Sequence, residues 1–248
     1  MPNYKIILEY NGAKFAGSQI QPNKRTVEAE LKQVLNLFFG PQGSFQQNPQ
    51  IETTFSSRTG SGVHAFGQVV NFKLAQEIED LDNPYQVLAA LNAKLPEDMV
   101  LTKIQEVPDN FNARFDATAR EYLYKIFIRR HRPVLRLDSM AWQKEELDFD
   151  KMQAHAANYL GEHDFSAYAK LEEGDSGICN VSKSELIKES PICFKYKIKA
   201  NRFLRHMVRR MVGELIQVGQ GKEASPKFTC PAEGLCLVKV YYTRLANF

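Results

Sequence analysis

The sequence predicts an α/β fold of the α+β type, made of two similar subdomains that are each a mainly antiparallel sheet backed by helices. Short runs of alternating apolar residues, typical of half-buried strands, are interspersed with apolar repeats at helical spacing. Apolar residues make up 44% of the 248 positions and charged residues 25%, the ordinary composition of a globular protein. Pro108-Asp109-Asn110 is a turn-forming break between two such blocks. We therefore place one subdomain at residues 1–107 and the other at 108–248.

The first subdomain is predicted to open with a strand at 5–10 that ends at the turn Asn11-Gly12. Thr26 is a suitable helix N-cap, and the apolar residues after it recur at helical spacing as far as residue 38. Residues 41–50 are polar and are predicted to form a mobile loop. The other predicted elements of this subdomain are strands at 51–55, 68–74 and 99–107 and a helix at 84–95.

The second subdomain is predicted to begin with a strand at 120–128, in which Tyr122, Tyr124, Ile126 and Ile128 share one face. Sheet aromatics of this kind are commonly half-buried, which is one interpretation of the two tyrosines. The other elements predicted here are a helix at 152–160 and strands at 183–189 and 193–200.

An amphipathic helix at 202–218 is the most regular pattern of the second subdomain, with Asn201 as its cap and Gly219 as its end. Its apolar face includes Met207, Val208, Met211, Val212, Leu215 and Ile216. The opposite arc carries Arg202, Arg205, His206, Arg209 and Arg210. By itself, this pattern indicates a core helix with a solvated basic side.

Charge is unevenly divided along the chain, although the net charge is only +3. Residues 1–117 carry 10 Lys and Arg against 13 Asp and Glu, whereas residues 118–248 carry 22 against 16. A basic half indicates a polyanionic partner such as a nucleic acid, but an excess of this size is also compatible with a solvated surface. The basic loop Arg129-Arg130-His131-Arg132 leaves the same two interpretations open.

Composition also argues against several classes of protein. No apolar run approaches the ~20 residues of a membrane span, and the first residues lack the basic and apolar pattern of a signal peptide. We therefore expect a cytoplasmic protein without membrane association. The four cysteines and five histidines lack the spacing of a metal site, so reduced thiols and no metal are predicted.

A polar loop punctuated by glycines spans residues 56–67 and continues directly into an apolar strand. Loops held on rigid strands commonly carry binding and catalytic groups. This one resembles the signature loop of the TruA-type tRNA pseudouridine synthases, Arg-Thr-Asp-x-Gly-Val-His-Ala, and reads Arg58-Thr59-Gly60-Ser61-Gly62-Val63-His64-Ala65. Gly60 stands where that family has its catalytic aspartate.

Further segments resemble motifs of the same family, so the resemblance spans nearly the whole chain. They are Phe111-Asn112-Ala113-Arg114, Arg120-Glu121-Tyr122-Leu123-Tyr124, and residues 161–168, 203–213 and 230–237. Two more positions depart from the family pattern. Ser18 replaces a tryptophan, and Asn112 replaces a histidine.

The resemblance implies the pseudouridine synthase fold, with a basic active-site cleft between the subdomains, and a homodimer. It also implies a reaction on tRNA, in which the uracil of a uridine in the anticodon stem-loop is detached from C1′, rotated and reattached through C5. This reaction requires no cofactor and no metal. In the family an aspartate starts it, either as nucleophile at C1′ or as base at C2′. The target base has to leave its stack first, which requires a stacking surface and a positive channel for the backbone.

Site residues follow from the same resemblance. The catalytic positions are Gly60, Arg58, Tyr122 and Arg209, with Tyr122 stacking on the target base and Arg209 pairing with the family's aspartate. The residues predicted to bind RNA are Thr59, His64, Gln19, Arg114, Arg129, Arg130, Arg132, Arg202, Arg205, His206 and Arg210.

Gly60 offers no carboxylate, so little or no catalysis is expected from this chain. Three hypotheses remain open: a tRNA pseudouridine synthase altered at one position, a non-catalytic tRNA-binding or RNA-folding protein on the same scaffold, and a protein-interaction scaffold. Three experiments distinguish them. The first hypothesis is tested by placing aspartate at position 60, and the second by measuring the uridine content of bound tRNA. The third is favoured if no salt-sensitive affinity for tRNA is found.

Overall fold

The computed structural model describes residues 1–40, 51–78, 81, 83–135, 139–171, 174 and 176–243. The loop predicted at 41–50 lies outside these residues. The chain forms two compact units, Met1–Thr118 with Val240–Phe248, and Ala119–Lys239. In the described part of the chain, no helix combines the length and the apolar character that crossing a membrane requires.

The division between the units lies after Thr118, whereas the sequence placed it after residue 107. Two buried amides explain why the intervening residues stay with the first unit. Asn3 Nδ2 donates to the carbonyl oxygen of Phe111 at 2.9 Å, and Asn71 Oδ1 accepts from the backbone N–H of Ala113 at 2.8 Å. The returning segment is held by Tyr242, whose hydroxyl donates to the carbonyl of Ala113 at 2.8 Å.

The first unit is an antiparallel sheet with two helices, one between the first and second strands and the other between the third and fourth. Its elements are β1 (Asn3–Tyr10), α1 (Val27–Phe39), β2 (Thr53–Phe55), β3 (His64–Lys73), α2 (Pro84–Asn92) and β4 (Met99–Val107). The strands β4, β1 and β3 are neighbours in that order, and β2 pairs with β3. Helix α2 packs on β4 and on α1.

Local signals account for most boundaries of the first unit. The side chain of Thr26 accepts from the N–H of Ala29, which confirms it as the cap of α1. Strand β3 begins at His64, earlier than predicted, because Ala65 still pairs with Tyr10 across the sheet. Helix α2 ends at Asn92, three residues before the predicted end.

The second unit is also a mainly antiparallel sheet with helices. Its elements are β5 (Ala119–Ile128), β6 (Ala141–Gln143), α3 (Phe149–Ala157), β7 (Gly161–Asp164), β8 (Ile178–Ser190), β9 (Cys193–Ala200), α4 (Met207–Gly219) and β10 (Leu235–Tyr241). The order is β10, β5, β9, β8, β7, and β6 runs parallel to β5. Helix α3 packs on α4 and β8. The predicted mixed α/β class with mainly antiparallel sheets is confirmed in both units.

Two predictions about the second unit have contrasting outcomes. The shared face of β5 is confirmed, because Tyr122, Tyr124, Ile126 and Ile128 are all buried. Helix α3 begins at Phe149, before its predicted start, because the Asp148 side chain accepts from the N–H of Lys151 and caps it.

The start predicted for the basic helix is wrong. Helix α4 begins at Met207, and its preceding residue His206 has a left-handed backbone with φ of 70°. Asn201 does not cap this helix, because its side-chain oxygen accepts from the N–H groups of Asn180 and Arg202 at 2.9 and 2.8 Å. The predicted end at Gly219 and the buried apolar face are confirmed.

Candidate functional site

The glycine-rich loop of the first unit is closed at its base by one buried amide. Gln68 on β3 is fully buried. Its Oε1 accepts from Ser56 Oγ at 2.8 Å and from the N–H of Ser57 at 3.3 Å, and its Nε2 donates to the carbonyl of Ser57 at 2.7 Å. Buried polar groups that are fully paired hold a unique geometry. Gln68 therefore fixes how the loop leaves β2 and returns to β3.

Thr59 is turned into the protein. Its hydroxyl shares a hydrogen bond of 2.7 Å with the hydroxyl of Tyr10, and its N–H donates to Ser18 Oγ at 3.0 Å. The N–H of Ser18 donates to the carbonyl of Thr59, also at 3.0 Å. These bonds engage the polar groups of Thr59, which was predicted to bind RNA. Its role in the structure is to fix the positions of its two neighbours, Arg58 and Gly60.

Arg58 and Gly60 flank Thr59 and are both exposed. Arg58 has no hydrogen-bond or ionic partner among the residues that the structure describes. An added Cβ at Gly60 would have Val63 Cγ2 as its nearest neighbour, at 4.0 Å, and the backbone at Gly60 is not left-handed. Gly60 is therefore not required by backbone geometry, and a side chain fits there.

His64 also has a structural contact in the first unit. Its Nδ1 accepts from the N–H of Gly12 at 3.1 Å, which places the ring proton on Nε2, and the residue is only 9% exposed. Gln19 lies next to Ser18 and is exposed. Of these two predicted RNA-binding residues, only Gln19 presents its side chain to solvent.

An arginine clamp supports the loop from the other side. Arg25 donates two hydrogen bonds to Asp98, at 2.7 and 2.8 Å, and a third to Glu30 at 2.8 Å. The hydrogen bonds from Arg25 lower the pKa of Asp98. The guanidinium of Arg25 lies 4.1 Å from the centre of the Phe15 ring, and the carbonyl of Phe15 accepts from Ser61 Oγ at 3.2 Å. No sequence pattern indicates this clamp, since Asp98 is 73 positions from Arg25 in the chain.

Tyr122 in the second unit is 6% exposed. Its ring makes an edge-to-face contact with the ring of Phe203, with ring centres 5.1 Å apart and ring planes at 86°. A base-stacking platform needs an accessible ring face. In this structure, the residue predicted to stack on the target base is thus covered.

Arg209 and Arg210 are adjacent on α4 but differ in what they bind. Arg209 donates from Nε to the carbonyl of Cys230 at 2.6 Å, and its terminal nitrogens have no partner among the described residues. Burial raises the pKa of the Cys230 thiol to about 12, so this neighbour brings no negative charge. Arg210 instead donates to the carbonyl of Ala169 at 2.9 Å. Arg209 therefore keeps both terminal nitrogens for a ligand, whereas one terminal nitrogen of Arg210 is already engaged.

The turn before α4 concentrates positive charge. His206 and Arg202 are half-buried, and Arg205 is exposed. The pKa of His206 is lowered by burial and then by four cationic neighbours, Arg209, Arg205, Arg210 and Lys170. This cluster favours binding of an anion for two reasons. The cations repel one another, and they lie near the N-terminus of α4, which is the positive end of the helix dipole.

The basic loop after β5 presents its side chains outward. Arg129, Arg130 and Arg132 are exposed. The loop is held at its start, because Trp142 Nε1 donates to the carbonyl of Arg129 at 2.8 Å and the N–H of Arg129 donates to Gln143 at 3.0 Å. Arg114 of the first unit is exposed as well, with its guanidinium 5.5 Å from the centre of the Phe115 ring.

Three lysines of the second unit's sheet are paired with carboxylates. Lys197 Nζ lies 3.0 Å from Glu121, Lys183 Nζ lies 2.7 Å from Glu185, and Lys195 pairs with Glu189. This surface therefore carries less net charge than the count of basic residues indicates. Across the described part of the chain, no group of three His, Cys, Asp or Glu side chains is placed to hold a metal ion.

Comparison with known proteins shows which family shares this arrangement. A family model described as tRNA pseudouridine synthase matches residues 6–116 and 155–243. The chain belongs to this family. It is 31% identical over 258 residues to tRNA pseudouridine synthase A of Leptospira biflexa, covering 98% of this chain and 94% of the relative. It is 34% identical over 254 residues to the Aquifex aeolicus protein of that name, covering 97% and 99%.

The TruA-like assignment from the sequence is thus confirmed, and with it an isomerase family. Within this tRNA pseudouridine synthase family member, the residues matched by the family model include Arg58, Gly60, Arg114 and Arg209. The stretch between the two matched ranges contains Tyr122 and the arginines of the basic loop.

Sequence patterns alone do not identify the residues that hold the signature loop in place. Tyr10, Ser18, Arg25 and Gln68 surround it through the contacts described above. Gln68 lies at the start of the strand predicted at 68–74, and no sequence pattern indicates which groups its amide binds. Ser18 was noted only as a departure from the family pattern, and the structure shows it hydrogen-bonded to Thr59.

Proposed function

We propose that this chain binds tRNA at the anticodon stem-loop, and that Gly60 leaves it with little or no uridine isomerase activity. One observation carries the proposal. The loop that contains Arg58, Thr59 and Gly60 is held through Thr59 by hydrogen bonds to Tyr10 and Ser18, while Arg58 and Gly60 on either side are exposed. The site therefore retains its framework while the position that starts the family's reaction has no carboxylate.

The chemistry explains why a single missing group has a large effect. In the family, an aspartate starts the breaking of the bond between uracil and C1′, as nucleophile or as base. A water molecule near Gly60 lacks both the charge and the fixed position. Arg58 and Arg209 retain the cationic half of the machinery, and their unengaged nitrogens can bind phosphate. This combination supports binding without turnover.

The proposed role of Tyr122 carries a further condition. Stacking on a flipped base requires Phe203 to move away, because the two rings are in contact and Tyr122 is 6% exposed. Phe203 lies in the turn before α4, so movement of that turn would uncover the ring. We include this movement in the proposal.

The proposal also includes a homodimer that acts in the cytoplasm, both taken from the family resemblance. Sedimentation of the purified chain at several concentrations measures the first. A single species with the mass of one chain would reject the dimer. Localisation of the tagged chain in its own cells measures the second, and a signal outside the cytoplasm would reject that part.

The test of the proposal is the salt dependence of tRNA affinity combined with analysis of the bound RNA. If about six phosphates are engaged, affinity falls by ~10³ between low and moderately high salt. Replacing Arg129, Arg130 and Arg132 by Gln should flatten this dependence. The matched control replaces Lys183, Lys195 and Lys197, which already pair with carboxylates. The control should change the slope less.

The bound tRNA should keep its uridines, with no pseudouridine formed by the parent chain. Absence of salt-sensitive tRNA affinity would reject the proposal and favour a protein-interaction scaffold. Pseudouridine formed at the parent's Gly60 site would show that another carboxylate starts the reaction. Equal slopes for both triple variants would assign the basic loop to a solvated surface.

A further inference from the structure

Phe115 is an exposed aromatic residue in a segment that is otherwise anchored. It is 77% exposed, whereas Phe111 is 6% exposed and Ala113 is fully buried. Single exposed aromatic rings are common, and Tyr85 is exposed to the same degree, so exposure alone does not identify a binding surface. What distinguishes Phe115 is its anchored turn and the guanidinium beside its ring. No part of the proposed reaction uses this residue.

The turn that presents Phe115 is rigid. Asn112 Oδ1 accepts from the N–H groups of Arg114 and Phe115 at 3.0 and 3.1 Å. Asp116 Oδ2 accepts from the N–H of Asn112 at 2.8 Å, and the N–H of Asp116 donates to the carbonyl of Asn112 at 3.0 Å. A ring held on such a turn loses little further freedom on binding.

The chemical surroundings of Phe115 distinguish between partners. Its exposed neighbours along the chain, Arg114, Asp116 and Thr118, are polar or charged, unlike the residues typical of the apolar centre of a protein interface. The guanidinium of Arg114 lies 5.5 Å from the ring centre, within the range of a cation–π contact. An aromatic ring beside a guanidinium provides two planar groups on which unpaired bases stack.

We propose that Phe115, together with Arg114, is a stacking platform for an unpaired base of the bound tRNA. The inference rests on the proposed function, because it requires tRNA binding. It adds a contact of a different kind from the phosphate contacts of the arginines. Stacking releases no counterions, so it raises affinity without changing the salt dependence.

The experiment compares tRNA affinity at several salt concentrations for Phe115→Leu, Phe115→Tyr and the parent. Phe115→Leu keeps an apolar side chain and removes the ring, so affinity should fall about 5- to 150-fold at every salt concentration, with the slope unchanged. Phe115→Tyr should bind like the parent. Tyr85→Leu is the matched control, since Tyr85 on α2 is 76% exposed and has no cation over its ring among the described residues. It should also bind like the parent.

The outcomes separate the two proposals. A parent chain without salt-sensitive tRNA affinity rejects the proposed function, and the stacking contact with it. A parent that binds tRNA and a Phe115→Leu variant that binds equally well reject only the stacking contact. Loss of self-association in Phe115→Leu, with its tRNA affinity intact, assigns Phe115 to a contact between copies and also overturns the inference. Equal weakening by Tyr85→Leu would show a non-specific effect and would count against it.

Discussion

The signature loop of the first unit and the basic turn before α4 in the second differ in how much of their hydrogen-bonding capacity is engaged within the protein. The loop is held by side chains from distant parts of the chain, including Gln68, Ser18 and Tyr10. The turn contains His206 with a left-handed backbone, and its cations lie close to one another. Much of the loop's polar capacity is used internally, whereas Arg209 in the turn region keeps part of its guanidinium unengaged.

This difference indicates that the hydrogen bonds of the loop serve mainly to maintain its shape, whereas the cations near α4 are available to bind a ligand. A loop held by its surroundings keeps its shape when one of its own side chains is absent, which is how position 60 can be glycine without loss of the fold. A cluster of like charges depends on an anion for its lowest energy, because the repulsion is relieved only when counter-charge binds. The following predictions test the two halves of this contrast.

Gln68 should be the most sensitive position of the loop. Gln68→Leu leaves the Ser56 hydroxyl and both backbone groups of Ser57 without this partner, so the free energy of unfolding should fall by about 3 kcal/mol. Urea denaturation measures it. Gln19→Leu, at an exposed amide, is the control and should change stability by less than about 0.5 kcal/mol. Equal effects would mean that the amide does not support the loop.

Gly17 and Gly60 face each other in an isolated bridge and should respond differently to alanine. Gly17 has φ of 130°, and an added Cβ would lie 3.1 Å from the carbonyl oxygen of Thr59. Gly17→Ala should therefore lower the free energy of unfolding by about 2 kcal/mol. Gly60→Ala should be neutral or slightly stabilising, because its Cβ meets open space. A large loss in Gly60→Ala, measured by thermal unfolding, would contradict the open position.

Arg209 and Arg210 form an adjacent pair with opposite expected readouts. Arg210→Gln loses hydrogen bonds to the carbonyl of Ala169 and to Thr229, so it should lower the free energy of unfolding by about 1 kcal/mol. Its tRNA affinity should fall less than that of Arg209→Gln, because part of its guanidinium is already engaged. Arg209→Gln should weaken tRNA binding and reduce the salt slope by about 1, as loss of one phosphate contact does. If Arg209→Gln instead lowered stability and Arg210→Gln weakened tRNA binding more, the roles given to the two arginines would be wrong.

His206 should make a small pH-dependent contribution to stability. Its pKa in the folded state is lowered, so the unfolded state binds more protons as pH falls through the ordinary range near 6.5. Stability should thus be lower at about pH 5.5 than at about pH 7.5. His206→Asn, which tolerates the left-handed backbone, should reduce this difference. The midpoints of urea denaturation at the two pH values measure this difference, and His131→Asn is the control. An unchanged difference would remove His206 as its source.

The sequence predicted those parts of the fold whose signals are local. The strand face of β5, the cap Thr26 and the end of α4 at Gly219 all depend on residues close together in the chain, and all are confirmed. The signature loop was identified because its motif is contiguous. The strand β6 was missed, since three residues carry no recognisable period.

The remaining features depend on contacts between distant residues. Asn201 is a suitable cap by local rules, but the N–H of Asn180 on β8 engages its side-chain oxygen. The contact of Ser18 with Thr59 joins residues 41 positions apart, and no sequence pattern reports it. The burial of Tyr122 behind Phe203 is also a tertiary effect, so a motif match identified the residue without its exposure.

The most direct test of the account is pseudouridine formation in tRNA by Gly60→Asp and by the parent chain, measured side by side by release of tritium from C5-labelled uridine. Because the loop is held from outside and position 60 is open, the new carboxylate should lie beside Arg58 without disturbing the loop. We predict no activity above background for the parent and clear pseudouridine formation for Gly60→Asp. A variant that folds and binds tRNA like the parent but forms no pseudouridine would contradict the claim that the framework is intact.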